Sequence, residues 1–426
     1  MKRRVLVFPC GSETGLEINR SLSYSRDFEL FGASSQYSNH GKYVFKNYIE
    51  MNSYIDDKSF IEELQKIILE YKIDFVFPAH DSVVLKLSEY QDKLGAIVIS
   101  PTHETCKLCR SKSRTYEVFK NKINVPKMYK EFDKNIEYPV FLKPDIGQGS
   151  KGTYLAKSLE EVGFYRNLDK TLLILEYLPG REFTVDCFTD RYSNLIFVGG
   201  RERKRIYNGI SVDTSPTIDA RFNTMAKQIN DNLNLRGVWF FQVKENKKEE
   251  LTLLEIGPRV AGSMGLYRNF GINLPILSLY DRLGIDIKLI KNPGKLQMDR
   301  SLTCKYELSY YYENVYVDLD DCLIFENKIN SLIVLFLYQC LNNEKKIYLL
   351  TKHEGDVLKL LSRFRIRELF DNIIQIEKGE EKSDFINELN SIFIDDSFSE
   401  RYKVNKELNI PTFDINAVES LIDWKV

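Results

Sequence analysis

The chain has 426 residues, 43% hydrophobic and 28% charged, with 60 Lys and Arg against 61 Asp and Glu for a formal charge of −1. At about 150 residues per domain, this length suggests roughly three units, each long enough to bury a core. The balanced charge excludes bulk electrostatic attraction to nucleic acid or an anionic membrane, while leaving room for one local anion pocket.

The first hundred residues alternate apolar runs with helix-like stretches. Val5-Leu-Val-Phe-Pro, Phe28 to Gly32, Asp74 to Pro78 and Ala96 to Ser100 read as strands, each stopped by Gly, Pro or a polar residue. Ser59 to Lys72 has helical spacing, and the alternation predicts a parallel, doubly wound sheet. Gly11-Ser-Glu-Thr-Gly15 after the first strand is not the dinucleotide fingerprint. The apolar run Val5 to Cys10 is too short for a signal segment. From Pro101 to about Asp299 the texture changes to strands and hairpins; Val238 to Lys244 and Leu251 to Ile256 flank a charged turn. A third α/β unit begins near Tyr306, with strands at Val315 to Asp318, Ile347 to Thr351 and Ile392 to Asp396. The apolar stretch Ile329 to Leu341 falls short of the ~20 residues of a membrane span. Seven scattered cysteines fit a reducing cytoplasm.

Three segments between residues 101 and 305 suit ATP chemistry. Phosphoryl transfer to a carboxylate needs cations on the phosphates, a held metal and an oriented acceptor. Phe141-Leu-Lys143 ends an apolar strand and leads into Gly147-Gln-Gly149-Ser-Lys151-Gly152, a loop whose bare amides can approach phosphate. Leu172 to Glu176 runs through Tyr177 and Leu178 to Glu182; such a hinge can offer amides to an adenine edge, and Glu182 can accept from ribose hydroxyls. The hairpin carries Gln242 and Glu255, oxygen donors of the kind magnesium takes, with Arg259 just beyond to steady transferred charge. Arg201 and Arg203 are further candidates, and the stretches Arg201 to Ser215 and Arg259 to Asn273 read as ligand-binding loops. Each segment alone is also consistent with an ordinary charged hairpin.

Together these segments resemble the ATP-grasp superfamily, particularly its carbamoyl-phosphate-synthase-like and amino-acid-ligase branches, over about residues 1–300. The resemblance implies a pre-ATP-grasp, Rossmann-like domain at 1–100 and an ATP-grasp domain at 101–305. It assigns Lys143 and Lys112 to the ATP phosphates, Glu176 and Leu178 to the hinge, Glu182 to ribose, and Gln242 and Glu255 to magnesium. The family's usual Glu-x-Asn-Pro-Arg is here Glu255-Ile-Gly257-Pro-Arg259, so one metal-ligating Asn is absent.

In the third unit, Asp318-Leu-Asp320 ends a strand, Thr351 ends another, Lys382 follows, and Ile394-Asp395-Asp396 ends a third. One carboxylate can attack phosphorus while another moves a proton, with magnesium reducing their repulsion. This order resembles the four motifs of haloacid dehalogenase (HAD)-like phosphatases over about residues 312–426. It implies Asp318 as nucleophile, Asp320 as acid/base, Thr351 and Lys382 on phosphate, and Asp318, Asp320 and Asp395 about magnesium. Asp320 to Thr351 leaves space for one helix, hence a Rossmannoid domain at 306–426 without a large cap.

Cys106-Lys-Leu-Cys109 lacks the further ligands a zinc site needs and reads as buried helix. His353, just past Thr351, either lines the mouth of that second site or, the preferred reading, is a solvent-facing loop residue; the 25 Tyr and 26 Phe read as core, without the basic stripe of a nucleic-acid platform. The expected protein is therefore a multidomain α/β and α+β enzyme using ATP and Mg. A carboxylate and an amine would be joined at the first site and a phosphomonoester hydrolysed at the second; a homo-oligomer remains open. The alternative is a nucleotide-responsive binding module with an impaired ligase site.

Overall fold

The computed structural model describes residues 2–425 apart from 131, 132, 134, 148 and 150. Gln148 and Ser150 of the glycine-bearing loop thus lie outside the described residues. The chain divides into two compact units, Met1–Leu302 and Thr303–Lys425.

In the first unit, an all-parallel sheet orders its strands Asn47–Glu50, Phe28–Ser34, Arg3–Phe8, Phe75–Pro78 and Ile97–Val98. Val5, Leu6 and Val7 are all fully buried, as expected of a central strand covered on both faces rather than one. The helices Glu13–Leu22, Phe60–Glu70 and Asp81–Glu89 follow its strands. Ser12 caps the first of them, its Oγ accepting from the Gly15 amide at 3.0 Å. A Cβ at Gly15 would lie 2.6 Å from the carbonyls of Pro9 and Cys10, so only glycine lets the helix start this close to the strand.

Two antiparallel sheets complete this unit. The smaller orders Met128–Tyr129, Leu172–Glu176, Val140–Pro144 and Tyr154–Ala156. The larger orders Leu251–Gly257, Gly237–Glu245, Glu182–Thr189, Leu195–Tyr207, Ile210–Thr217 and Met298–Asp299. Apolar packing ties the parallel sheet to the larger one, Val5, Val7 and Phe77 sharing a core with Phe188, Phe197 and Phe240. Residues 201–215, expected as a ligand loop, are mostly two paired strands; alternation of polar residues there reflects a two-sided ribbon rather than a flexible loop.

The second unit is a parallel sheet ordered Asn372–Gln375, Lys346–Thr351, Asn314–Val317, Ser391–Ile394 and Thr412–Phe413. The helices Ser331–Asn342, Val357–Phe364 and Phe398–Leu408 accompany it, and a hairpin of two short strands, Ile324–Phe325 and Lys328–Ile329, follows the central strand. Because that strand lies between two neighbours reached in opposite directions, the ends carrying Asp318, Thr351 and Asp395 converge at a switch point of the sheet. No described helix is long and apolar enough to cross a membrane.

Candidate functional site

Lys112, Lys143, Glu176, Leu178, Glu182, Gln242, Glu255 and Arg259 all line one cleft of about 340 Å³ in the first unit. The floor of that cleft is the larger antiparallel sheet, whose register sets its chemistry. Arg201 stands opposite Thr184, Thr184 opposite Gln242, and Gln242 opposite Glu255. Alternation puts Glu182 and Lys244 in the row on one side of these, and Asp186, Phe240 and Gly257 in the row on the other.

The two lysines come from different elements. Lys143 ends the strand Val140–Pro144, and Lys112 opens the helix Lys112–Phe119, which Ser111 caps. Both are buried, at 8% and 7% exposure, and neither forms an ion pair with a described residue. Lys143 Nζ donates to the Leu254 carbonyl at 3.4 Å and lies over the Tyr116 ring. Lys112 Nζ donates to the carbonyls of Asp145 and Gly147 at 3.4 and 3.3 Å. Burial drives the Lys143 ammonium down to about 8, against the opposing field of Glu255; Lys112 is lowered for the same reason. Arg110, which sequence reasoning did not single out, joins them by donating to the Gly147 carbonyl at 3.0 Å.

Four of the five carboxylates lining the cleft have partners. Glu182 pairs with Arg203 at 2.8 Å and Lys244 at 3.7 Å, so a ribose would compete with two cations for its oxygens. The Glu176 carboxylate accepts from the Lys127 backbone amide at 2.9 Å, bracing the hinge. Glu13 pairs with Arg300, and Asp81 with Arg259. Glu255 alone makes no hydrogen bond or ion pair with a described residue, and it faces Gln242. An unneutralised carboxylate beside an amide oxygen is a donor set that suits a hard cation sharing its remaining positions with phosphate oxygens.

Arg259 was expected to face transferred charge. Its guanidinium instead grips Asp81 at 2.7 and 2.8 Å, donates to the Val260 carbonyl at 2.8 Å, and lies over the Phe240 ring. Phe240 also explains the departure at Gly257: a Cβ there would meet its ring at 2.3 Å. The place of a side chain at 257 is filled by an aromatic ring from the adjacent strand. Neither Asp81, which opens the helix after Pro78-Ala-His, nor Arg300, in an irregular stretch, was singled out from the sequence; an acidic residue just past an apolar strand was the available signal for Asp81, and Arg300 carried none.

The second unit gathers another site. Lys382 Nζ lies 2.6 Å from both Asp318 Oδ1 and Asp395 Oδ2, and all three side chains are buried. Ligand atoms of Asp318, Asp395 and Asp396 fall within 4.8 Å of one another. Burial raises the Asp318 carboxyl to about 7, and Asp395 is raised likewise, despite the ammonium between them. Thr351 is fully buried at the end of the adjacent strand. Asp320 is half exposed and stands apart from the cluster, its carboxylate on His353 Nδ1 at 2.9 Å. His353 is thus not a solvent-facing loop residue: its side chain is a quarter exposed and held by a candidate catalytic group. Isolated in sequence, it offered no signal beyond its nearness to Thr351.

Comparison with known proteins bears on the first unit. Residues 169–301 match the family model described as ATP-grasp in the biosynthetic pathway with Ter operon. The arginine-specific large chain of carbamoyl phosphate synthase from Halalkalibacterium halodurans is 24% identical over 244 residues, which is 51% of this chain and 23% of that one. The D-alanine–D-alanine ligase of Petrotoga mobilis is 29% identical over 136 residues, 30% of this chain and 45% of the relative. Over these residues the first unit is similar to the ATP-grasp superfamily. Its fold is shared with the biotin carboxylase domain of Hydrogenobacter thermophilus 2-oxoglutarate carboxylase, solved as a dimer with MgADP and bicarbonate (TM-score 0.60, 16% identity, 70% of this chain and 74% of that one). N5-carboxyaminoimidazole synthetase of Staphylococcus aureus with ADP is similar too (TM-score 0.56, 17% identity, 68% and 80%). The chain spans less than half the length of these two curated relatives.

Proposed function

We propose that the first unit is an ATP-dependent ligase that joins a carboxylate to an amine through an acyl phosphate. The observation that carries it is the convergence in one cleft of two buried lysines and Glu255, opposite Gln242, none of which has an ion-pair partner among the described residues. Lys143 and Lys112 hold the triphosphate, and Arg110 adds charge at the loop. Glu176 and Leu178 carry the adenine edge, and Glu182 the ribose once Arg203 and Lys244 yield its oxygens. Glu255 and Gln242 would hold magnesium, which when bound neutralises charge on the phosphates. A carboxylate oxygen of the acid attacks the γ-phosphorus as the bond to ADP breaks; the amine nitrogen then attacks the acyl carbon, phosphate leaves, and the nitrogen gives up its proton. Arg259, engaged with Asp81, positions the loop after the hairpin in this scheme.

ADP release that needs both an acid and an amine tests this function, across panels of each. Lys143→Ala should reduce release by at least about 100-fold, a scale typical of losing a group that stabilises transferred charge. Tight ATP binding with no ADP from any pair would favour the binding-module alternative.

The second unit we infer to be a magnesium-dependent phosphomonoesterase, favoured by Lys382 bridging Asp318 and Asp395 beside Asp396. Asp318 would attack phosphorus, Asp320 would move the proton, Thr351 and Lys382 would bind phosphate, and Asp318, Asp395 and the Asp320 segment would surround the metal. Asp318→Asn should abolish phosphate release from a phosphomonoester and leave ADP formation intact.

A further inference from the structure

We propose that His353 is a positioning residue for the second site, holding the Asp320 carboxylate where it can protonate the leaving oxygen of a phosphomonoester. Resting on the phosphatase reading of this unit, it adds a residue outside the four segments from which that reading came.

Asp320 needs such a partner. Its side chain is 53% exposed, and the chain turns at once through Asp321 at φ 53°. An exposed carboxylate on a turn samples several rotamers, and fixing one has an entropic cost that a neighbour must offset. His353 Nδ1 lies 2.9 Å from both Asp320 oxygens. The imidazole is itself anchored. The His353 amide donates to Thr351 Oγ1 at 3.1 Å, and its carbonyl accepts from Gln375 Nε2 at 2.7 Å. The same Gln375 amide donates to the Gly355 carbonyl at 3.0 Å, closing the turn around the ring. A Cβ at Gly355 would stand 2.7 Å from His353 Nε2, so the turn is shaped to leave the ring its space. His353 therefore ties the exposed acid to the buried Thr351 and so to the strand beside Asp318.

The chemistry balances with a neutral imidazole throughout. Asp318 attacks phosphorus and the bond to the leaving oxygen breaks. One oxygen of Asp320 delivers its proton to that leaving oxygen while the other accepts from Nδ1–H. In the second half, Asp320 takes a proton from water as the water oxygen attacks the aspartyl phosphate, and phosphate departs. His353 donates one hydrogen bond in both halves and transfers no proton.

The test is the first-turnover rate of the full chain with magnesium on two substrates, p-nitrophenyl phosphate and a simple alkyl phosphate. Nitrophenolate leaves without protonation, whereas an alkoxide does not. His353→Ala should slow the first turnover of the alkyl ester by at least about tenfold, part of the 10²–10⁴ that general acid catalysis contributes. The nitrophenyl ester should slow by under about threefold by the same reasoning. His353→Gln, which keeps a donor, should recover part of the alkyl rate, and Asp320→Asn should show the same dependence on leaving group. Equal losses on both esters, or none on either, would overturn the role of His353 while leaving the phosphatase intact. Hydrolysis that persists in Asp318→Asn, or is missing in the wild type, would remove the phosphatase reading and this role with it.

Discussion

Arg259 and Asp81 form a doubly hydrogen-bonded ion pair, 2.7 and 2.8 Å, that ties the loop after the large antiparallel sheet to a helix of the parallel sheet. Burial by itself would raise the Asp81 carboxyl, but the guanidinium overrides it and holds the group at about 2 against an ordinary 3.8. A depressed carboxyl contributes stability above its unfolded value and loses it as pH falls through its folded value. Asp81 should therefore contribute about 2 kcal/mol above pH ~4, fading toward pH ~2. Asp81→Asn should lose that increment near neutrality and show a flatter acid limb in urea titrations. Parallel acid limbs for the two proteins would contradict it.

Much of this was readable from residues. Gln242 and Glu255 were legible because the hairpin around them alternates cleanly about a charged turn, and antiparallel register then makes them neighbours. The lysine of Phe141-Leu-Lys143 was marked by the apolar strand before it. Asp318, Thr351 and Asp395 were legible because parallel strands deliver their ends to one edge, whereas Lys382 arrives on a short 3-10 turn that the strand pattern did not mark. What could not be read was who holds whom. The Arg259–Asp81 contact joins residues 178 positions apart, and the Asp320–His353 contact joins loops with no shared periodicity. The edge strands Asn47–Glu50 and Asn372–Gln375 also escaped, being short, polar and only partly buried.

Lys143 should make nucleotide binding sensitive to mild alkali. Burial sets its ammonium at about 8, so in the free protein it discharges as pH rises through that value. The apparent KM for ATP should then increase above about pH 8, by roughly tenfold per pH unit once the lysine is mostly neutral. Lys143→Arg keeps its charge throughout and should flatten the profile, whatever its effect on the absolute rate. A wild-type profile flat from about pH 7 to about pH 9.5 would remove Lys143 from the phosphate site.

Gly257 and Phe240 should behave as a coupled pair. The Phe240 ring occupies the space a side chain at 257 would need, so Gly257→Asn overpacks a closed region and should cost about 1–3 kcal/mol. Phe240→Ala in the same chain opens that space, so the double variant should show less destabilisation than the two single costs added together. Thermal unfolding of the four proteins of the cycle measures the coupling. Simple additivity would mean that the ring does not govern position 257.

Lys382 is the only described cation paired with the buried carboxylates of Asp318 and Asp395, at 2.6 Å from each. Desolvated carboxylates facing one another without a counter-charge are costly, and losing one member of a buried ion cluster typically costs about 3–5 kcal/mol. Lys382→Met should destabilise the protein on that scale in magnesium-free buffer, and adding Asp318→Asn should recover part of the loss by removing one of the two charges. Magnesium discriminates further. If Asp318, Asp395 and Asp396 hold a cation, its binding supplies the missing positive charge and stabilises by mass action. The variant should then gain more from magnesium than the wild type does, read by calorimetry in chelator and in excess metal. A Lys382→Met protein as stable as wild type without metal, and indifferent to magnesium, would show that these carboxylates need no counter-charge and form no cation site.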